Sequence, residues 1–90
     1  MAKICRKAIV SGRVQGVYFR ASTQQQAIAL GIVGHARNLI DGKVEVIMCG
    51  DDKHIEALTT WLHKGPPMSN VSGVLVEELA VQDLQGFDVK

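Results

Sequence analysis

Positions 12 to 20 read Gly12-Arg13-Val14-Gln15-Gly16-Val17-Tyr18-Phe19-Arg20, a run whose residue types suit the capture of an anion. It joins an apolar strand pattern to a helix pattern. A loop that turns its backbone N–H groups toward one point, beside the positive end of a helix, holds a phosphate without a metal. Arg20 closes such a site, because its guanidinium stays charged near neutral pH and its fork of donors meets two phosphate oxygens at once. As a bare pattern the run also fits a tight strand-to-helix turn followed by a solvated arginine.

The elements around this loop decide what else can reach it. Ile4, Ala8, Ile9 and Val10 mark a strand from Ile4 to Ser11. A helix follows from Ala21 to Leu30, with Phe19, Thr23, Ala27 and Leu30 on one flank and Gly31 as its stop. Ile32 to Ile40 reads as a second strand, and Asp41-Gly42 is a two-residue hairpin signal leading into a third strand from Lys43 to Cys49. Asp51-Asp52 caps a second helix that carries Ile55, Leu58, Trp61 and Leu62 on one face and ends at Gly65-Pro66-Pro67. Val71 to Leu79 is a fourth strand, and Gly86 to Lys90 adds a short final one.

That order predicts an α+β fold, a ferredoxin-like βαββαβ sandwich with a mainly antiparallel sheet and two helices on one face. In this topology the third strand lies between the first two, which run parallel. Two strand spacings, roughly 10 Å, then separate the loop after strand one from the end of strand two. Asn38 stands near that end, so Arg20 and Asn38 can face one ligand.

Ninety residues, 47% of them apolar, fit a single domain spanning residues 1–90. A net charge of +1 without any run of lysine or arginine argues against a chain built to neutralise nucleic-acid or membrane phosphates. A monomer with a small-molecule partner is expected. Lys3, Arg6 and Lys7 interrupt the first apolar stretch, so a soluble, cytoplasmic protein without signal peptide or membrane span is expected. His35, His54 and His63 lack ligand spacing, and Cys5 and Cys49 are too distant for a Cys-x-x-Cys pair, so neither a metal nor a cofactor is expected. Antiparallel pairing of strands one and three nevertheless brings Cys5 near Cys49, with both thiols on one face, and makes a disulfide possible. Two free thiols are the cytoplasmic expectation, and an oxidised sample can close the pair.

Gly12 to Arg20, together with Gly34-His35-Ala36-Arg37-Asn38-Leu39 followed by Asp41-Gly42, resembles the two signature stretches of the acylphosphatases. The resemblance runs over the whole chain, with one departure, His35 where many members carry tryptophan. It implies a ferredoxin-like fold and metal-independent hydrolysis of the carboxyl–phosphate bond of small acyl phosphates, with inorganic phosphate as product. Arg20 matches the phosphate-binding arginine and Asn38 the asparagine that orients the attacking water. The backbone N–H groups of Gln15, Gly16, Val17, Tyr18, Phe19 and Arg20 match the phosphate cradle.

The residues are sufficient for that chemistry. The leaving group is a carboxylate whose acid has a pKa of about 4, so it departs without a general acid. Phosphoryl transfer through a loose transition state asks mainly for positioning and charge neutralisation. An asparagine holds water as donor and acceptor without acting as a base, and a substrate phosphate oxygen is then the expected proton acceptor.

Two other readings use the same residues. A module that binds phosphate or an acyl phosphate without turnover needs only the cradle. A nucleic-acid-binding ferredoxin-like domain needs exposed aromatics alternating on a central strand, whereas Tyr18 and Phe19 fall at the loop and helix start, where Phe19 is expected to anchor the loop in the core. Arg13 and Arg37 read as steering charges at most. Ser11, Ser22 and Thr23 have no histidine base at motif spacing, which speaks against a covalent mechanism.

Overall fold

The computed structural model describes residues 2–90. Its elements are β1 (Lys3–Arg13), α1 (Phe19–Ala29), β2 (Val33–Asn38), β3 (Val44–Asp51), α2 (Asp52–Lys64), β4 (Asn70–Leu79) and β5 (Phe87–Val89). The strands form one sheet in the order β4-β1-β3-β2-β5. Every pairing is antiparallel except that of β2 with β5, so β1 and β2 run parallel on either side of β3. The architecture is the ferredoxin-like sandwich that the pattern predicts.

The alternation of side chains along each strand builds the core. Ala8 and Val10 on β1, Val44, Val46 and Met48 on β3, and Ala36 on β2 lie buried on the helix-covered face. Phe19 and Ala27 from α1, with Ile55, Leu58 and Leu62 from α2, fill the other side of that core. Phe19 and Trp61 pack ring to ring at 5.9 Å, joining the start of one helix to the end of the other.

The two helices begin differently. The Asp51 carboxylate accepts the Lys53 amide at 3.0 Å and closes the N-terminus of α2, with Asp52 in the first turn. Helix α1 starts at Phe19, two residues earlier than the helix-former run from Ala21 suggests, because Tyr18 adopts the left-handed conformation with φ of 61° and turns the chain into the helix. Among the described residues it has no side-chain cap, and its first turn holds no acidic residue. Arg20 therefore belongs to the first turn of α1.

Other boundaries differ from the pattern as well: β1 runs past Ser11 to Arg13 and β3 past Cys49 to Asp51. Strand β2 ends at Asn38, short of Ile40, and the expected two-residue hairpin is wider. Leu39 N–H donates to the Lys43 carbonyl at 2.8 Å and Gly42 N–H to the Leu39 carbonyl at 3.2 Å, enclosing Ile40, Asp41 and Gly42. Gly42, with φ of 93°, takes the left-handed position that completes such a loop, and Asp41 accepts the Lys43 amide at 3.1 Å.

On the face away from the helices, Cys5 and Cys49 are register partners with Cα atoms 4.1 Å apart, and their sulfurs are joined. The stretch between β4 and β5 crosses this face from one sheet edge to the other, and the Gln82 amide donates to Cys5 Sγ at 3.4 Å. Both cysteines are fully buried.

Candidate active site

The parallel run of β1 and β2 delivers the loop after β1 and the end of β2 to one edge of the molecule. Two of the loop residues have positive φ, Gly16 at 74° and Tyr18 at 61°. Left-handed residues interleaved in a short loop turn successive N–H groups to one side and form an anion-binding concavity. At Gly16 an added Cβ would meet no atom, so glycine serves there for its backbone angle and not for space. Among the described residues, none of the hydrogen bonds uses a backbone N–H of residues 15–20. The loop donors and the open end of α1 are thus uncommitted.

Val14 and Val17 are buried beneath the loop and Phe19 is buried at its end, so apolar anchors hold the backbone on both sides of the exposed donors. Thr23 reinforces the first turn by donating from its hydroxyl to the Phe19 carbonyl at 2.8 Å. Gln24 donates to the Phe87 carbonyl at 2.7 Å and ties α1 to β5.

Arg20 leans on the same strand. Its Nη1 donates to the Lys90 carbonyl, while the Lys90 amide donates to the Ala36 carbonyl of β2 at 2.9 Å. Ala36 pairs with Val89, so this chain of contacts carries the guanidinium to the part of β2 just before Asn38. Only Nη1 is engaged among the described residues, which leaves the remaining donors of the fork for a ligand.

From the other side the Gln15 side chain ties the loop to the hairpin. Its Nε2 donates to the Leu39 carbonyl at 2.8 Å and to the Lys43 carbonyl at 2.9 Å. Asn38 stands between these two ties, opposite Val44 in the register and on the helix-covered side of the sheet. Its Oδ1 is buried and has no hydrogen-bond partner among the described residues. An amide oxygen left in that state costs about 1–3 kcal/mol, and a partner is expected for it.

Arg20 and Asn38 line separate cavities and do not share one. A cavity of about 330 Å³ is bordered by Val14, Gly16, Tyr18, Phe19, Arg20, Ala21 and Val89. Asn38 borders a second one with Arg37, Leu39, Ile40 and Asp41.

The remaining motif residues fall elsewhere. His35 and Arg37 both meet Glu45 on the face away from the helices, with contacts of 3.1 Å each. Burial alone raises the Glu45 pKa, but the His35 hydrogen bond and the positive charge of Arg37 outweigh it and hold the carboxyl below its ordinary value. His35 has the opposite parity to Asn38 on β2 and takes no part in the site. Among the described residues no group of three or more His, Cys, Asp or Glu side chains is arranged to hold a metal ion. The side chain of Gln15 and the support from β5 have no clear signal in the sequence, where Gln15 is expected to serve through its backbone alone.

Comparison with known proteins points one way. The family model described as Acylphosphatase matches residues 6–89. An acylphosphatase of Pseudomonas paraeruginosa is 50% identical over 90 residues, covering 100% of this chain and 99% of that protein. The structure of an acylphosphatase from Coxiella burnetii superposes with a TM-score of 0.94 at 43% identity, covering 98% of this chain and 93% of that one. An acylphosphatase from Bacillus subtilis gives a TM-score of 0.94 at 30% identity, covering 97% and 98% of the two chains.

Proposed function

Because this chain belongs to the acylphosphatase family and is by that membership a hydrolase of acyl phosphates, we propose that it grips the substrate phosphate with Arg20 and the loop amides while Asn38 aims a water at phosphorus. The observation that carries this assignment is the coincidence of unused groups at one edge. Among the described residues the loop N–H groups and most of the Arg20 fork are unengaged, and the carbonyl oxygen of Asn38, held between the Gln15 and Lys90 ties, lacks a partner.

In the proposed mechanism the phosphate enters the concavity formed by the backbone of Gln15 to Arg20. Charge on its equatorial oxygens is neutralised by the amides, the open end of α1 and the guanidinium. Asn38 accepts one hydrogen bond from the water and fixes its line of approach. The carboxylate leaves on the opposite side without protonation, since its conjugate acid has a pKa of about 4. The proton of the attacking water passes to a phosphate oxygen. Nothing in this scheme requires a metal, and the products are a carboxylate and inorganic phosphate.

A monomer that binds a small molecule and neither nucleic acid nor membrane belongs to the same proposal, and the net charge of +1 supports the last two of these. A cytoplasmic site of action suits a substrate that is a hydrolysable anion and does not cross bilayers unaided.

Release of inorganic phosphate from acetyl phosphate, measured with excess chelator, tests the scheme. Turnover that persists with chelator and collapses in Arg20→Ala supports it. Turnover that needs added divalent metal, or that survives Arg20→Ala, sinks it.

A further inference from the structure

We propose that Tyr18, with Ala21 and Val89, forms the subsite for the acyl end of the substrate and selects acyl phosphates whose acyl group is flat and apolar. This deepens the assignment of Arg20 and Asn38 above and rests on it.

The division of the site into two cavities is the starting point. In-line displacement at phosphorus places the attacking water and the departing oxygen on opposite sides. With water on the Asn38 side, the acyl group departs on the side bordered by Arg20. The cavity there is lined by Val14, Gly16, Tyr18, Phe19, Arg20, Ala21 and Val89, and its 330 Å³ leaves room beside a phosphate. Among the described residues Arg20 is the one charged residue lining it, and the phosphate occupies that charge. An anionic or cationic acyl group finds no partner in it, whereas an apolar one meets a ring and two aliphatic side chains.

Tyr18 itself calls for an explanation that stability does not supply. Its side chain is 83% exposed, so it adds nothing to the core. Its backbone is left-handed, a conformation that glycine adopts freely and that a bulky residue holds at a cost on the order of 1 kcal/mol or more. The Ser22 amide donates to the Tyr18 carbonyl at 2.9 Å and holds the residue at the head of α1. A strained, exposed aromatic fixed at the mouth of the phosphate cavity is placed to stack on a planar acyl group. Ile40, also fully exposed, stands at the hairpin tip on the water side with Asn38, away from the departing group.

The test compares kcat/KM for benzoyl phosphate, acetyl phosphate and a phosphoglyceroyl phosphate in the wild type, Tyr18→Gly, Tyr18→Phe and Ile40→Ser. Glycine suits the backbone angle at position 18, so that variant retains the loop. The benzoyl-to-acetyl ratio is expected to fall about three- to tenfold in Tyr18→Gly, in line with the loss of one stacking contact. It should stay near the wild-type value in Tyr18→Phe and Ile40→Ser. An unchanged ratio in Tyr18→Gly, an equal fall in Ile40→Ser, or a wild-type preference for the phosphoglyceroyl substrate overturns the subsite. Failure of the underlying assignment shows separately, as turnover of all three substrates surviving Arg20→Ala.

Discussion

Gln15 Nε2 lies 2.8 Å from the carbonyl oxygen of Leu39, the residue next to Asn38, and the same nitrogen reaches Lys43 at 2.9 Å. One side-chain amide thus spans the proposed phosphate loop and the hairpin that carries the water-orienting candidate. Neither carbonyl depends on it, since Leu39 O also accepts from Gly42 N–H and Lys43 O from Leu39 N–H. Loss of Gln15 therefore loosens the relation between the two loops without orphaning the hairpin.

Gln15→Met keeps length and loses both donors. We expect kcat to fall about tenfold or more, because a small misplacement of a positioned water is costly, with inhibition by inorganic phosphate little changed. In an Asn38→Ala background the same substitution should add little, since residues acting through one another are non-additive. Full additivity in that double-mutant cycle would show that Gln15 acts independently of Asn38.

Arg20→Ala removes the one charged side chain of the proposed cradle. A fall in kcat/KM on the order of a thousandfold is expected, together with weaker inhibition by phosphate. Arg20→Lys should recover a minor part of it, because an ammonium keeps the charge and loses the fork. Steady-state kinetics with acetyl phosphate reads both.

Asn38→Ala should lower kcat far more than it weakens phosphate inhibition, because the side chain is assigned to the water. Asn38→Asp is expected to fail as well, since in the proposed scheme a carboxylate there would repel the substrate phosphate. If Asn38→Asp retained full activity, a base mechanism would replace the positional one.

The joined Cys5 and Cys49 span 44 residues of chain, and closing a loop of that length stabilises by about 4 kcal/mol on the chain-entropy account. Urea unfolding of the oxidised protein should show a midpoint clearly above that of the reduced protein or of Cys5→Ser. An intact mass two hydrogens below the reduced value identifies the bond. Equal midpoints with and without reductant would mean that the bridge carries no stability.

Glu45 gives a pH dependence whose sign follows from its lowered pKa. Its contribution is fully present above the ordinary carboxyl value of 4.5 and is lost as pH falls through the lower value of the folded protein. Glu45→Gln should therefore be less stable than the wild type near neutrality, and the difference should shrink on acidification below about pH 4.5. Thermal melts across that range measure it.

Local patterns in the chain already specify much of this. The apolar run of β1, the Asp51-Asp52 start and Gly65-Pro66-Pro67 stop of α2, and the motif from Gly12 to Arg20 can be read because caps, breakers and alternation act within a few residues. Their order implies the sheet topology, and with it the nearness of the first loop to the end of β2. The nearness of Cys5 to Cys49 follows from the same antiparallel pairing, and the structure makes them direct register partners.

Less local features were not legible. A start for α1 at Phe19 depends on Tyr18 taking a left-handed angle that its residue type does not suggest, and the wider loop around Ile40 depends on how Leu39 pairs with Lys43. The sequence by itself determined the elements, their order and the residue types able to hold a phosphate. Only the tertiary structure decided that Gln15 and Lys90 bracket Asn38 and that the edge divides into two cavities. Those relations arise from contacts between segments 24 to 70 residues apart along the chain, and such contacts form only once the packed sheet brings the segments together.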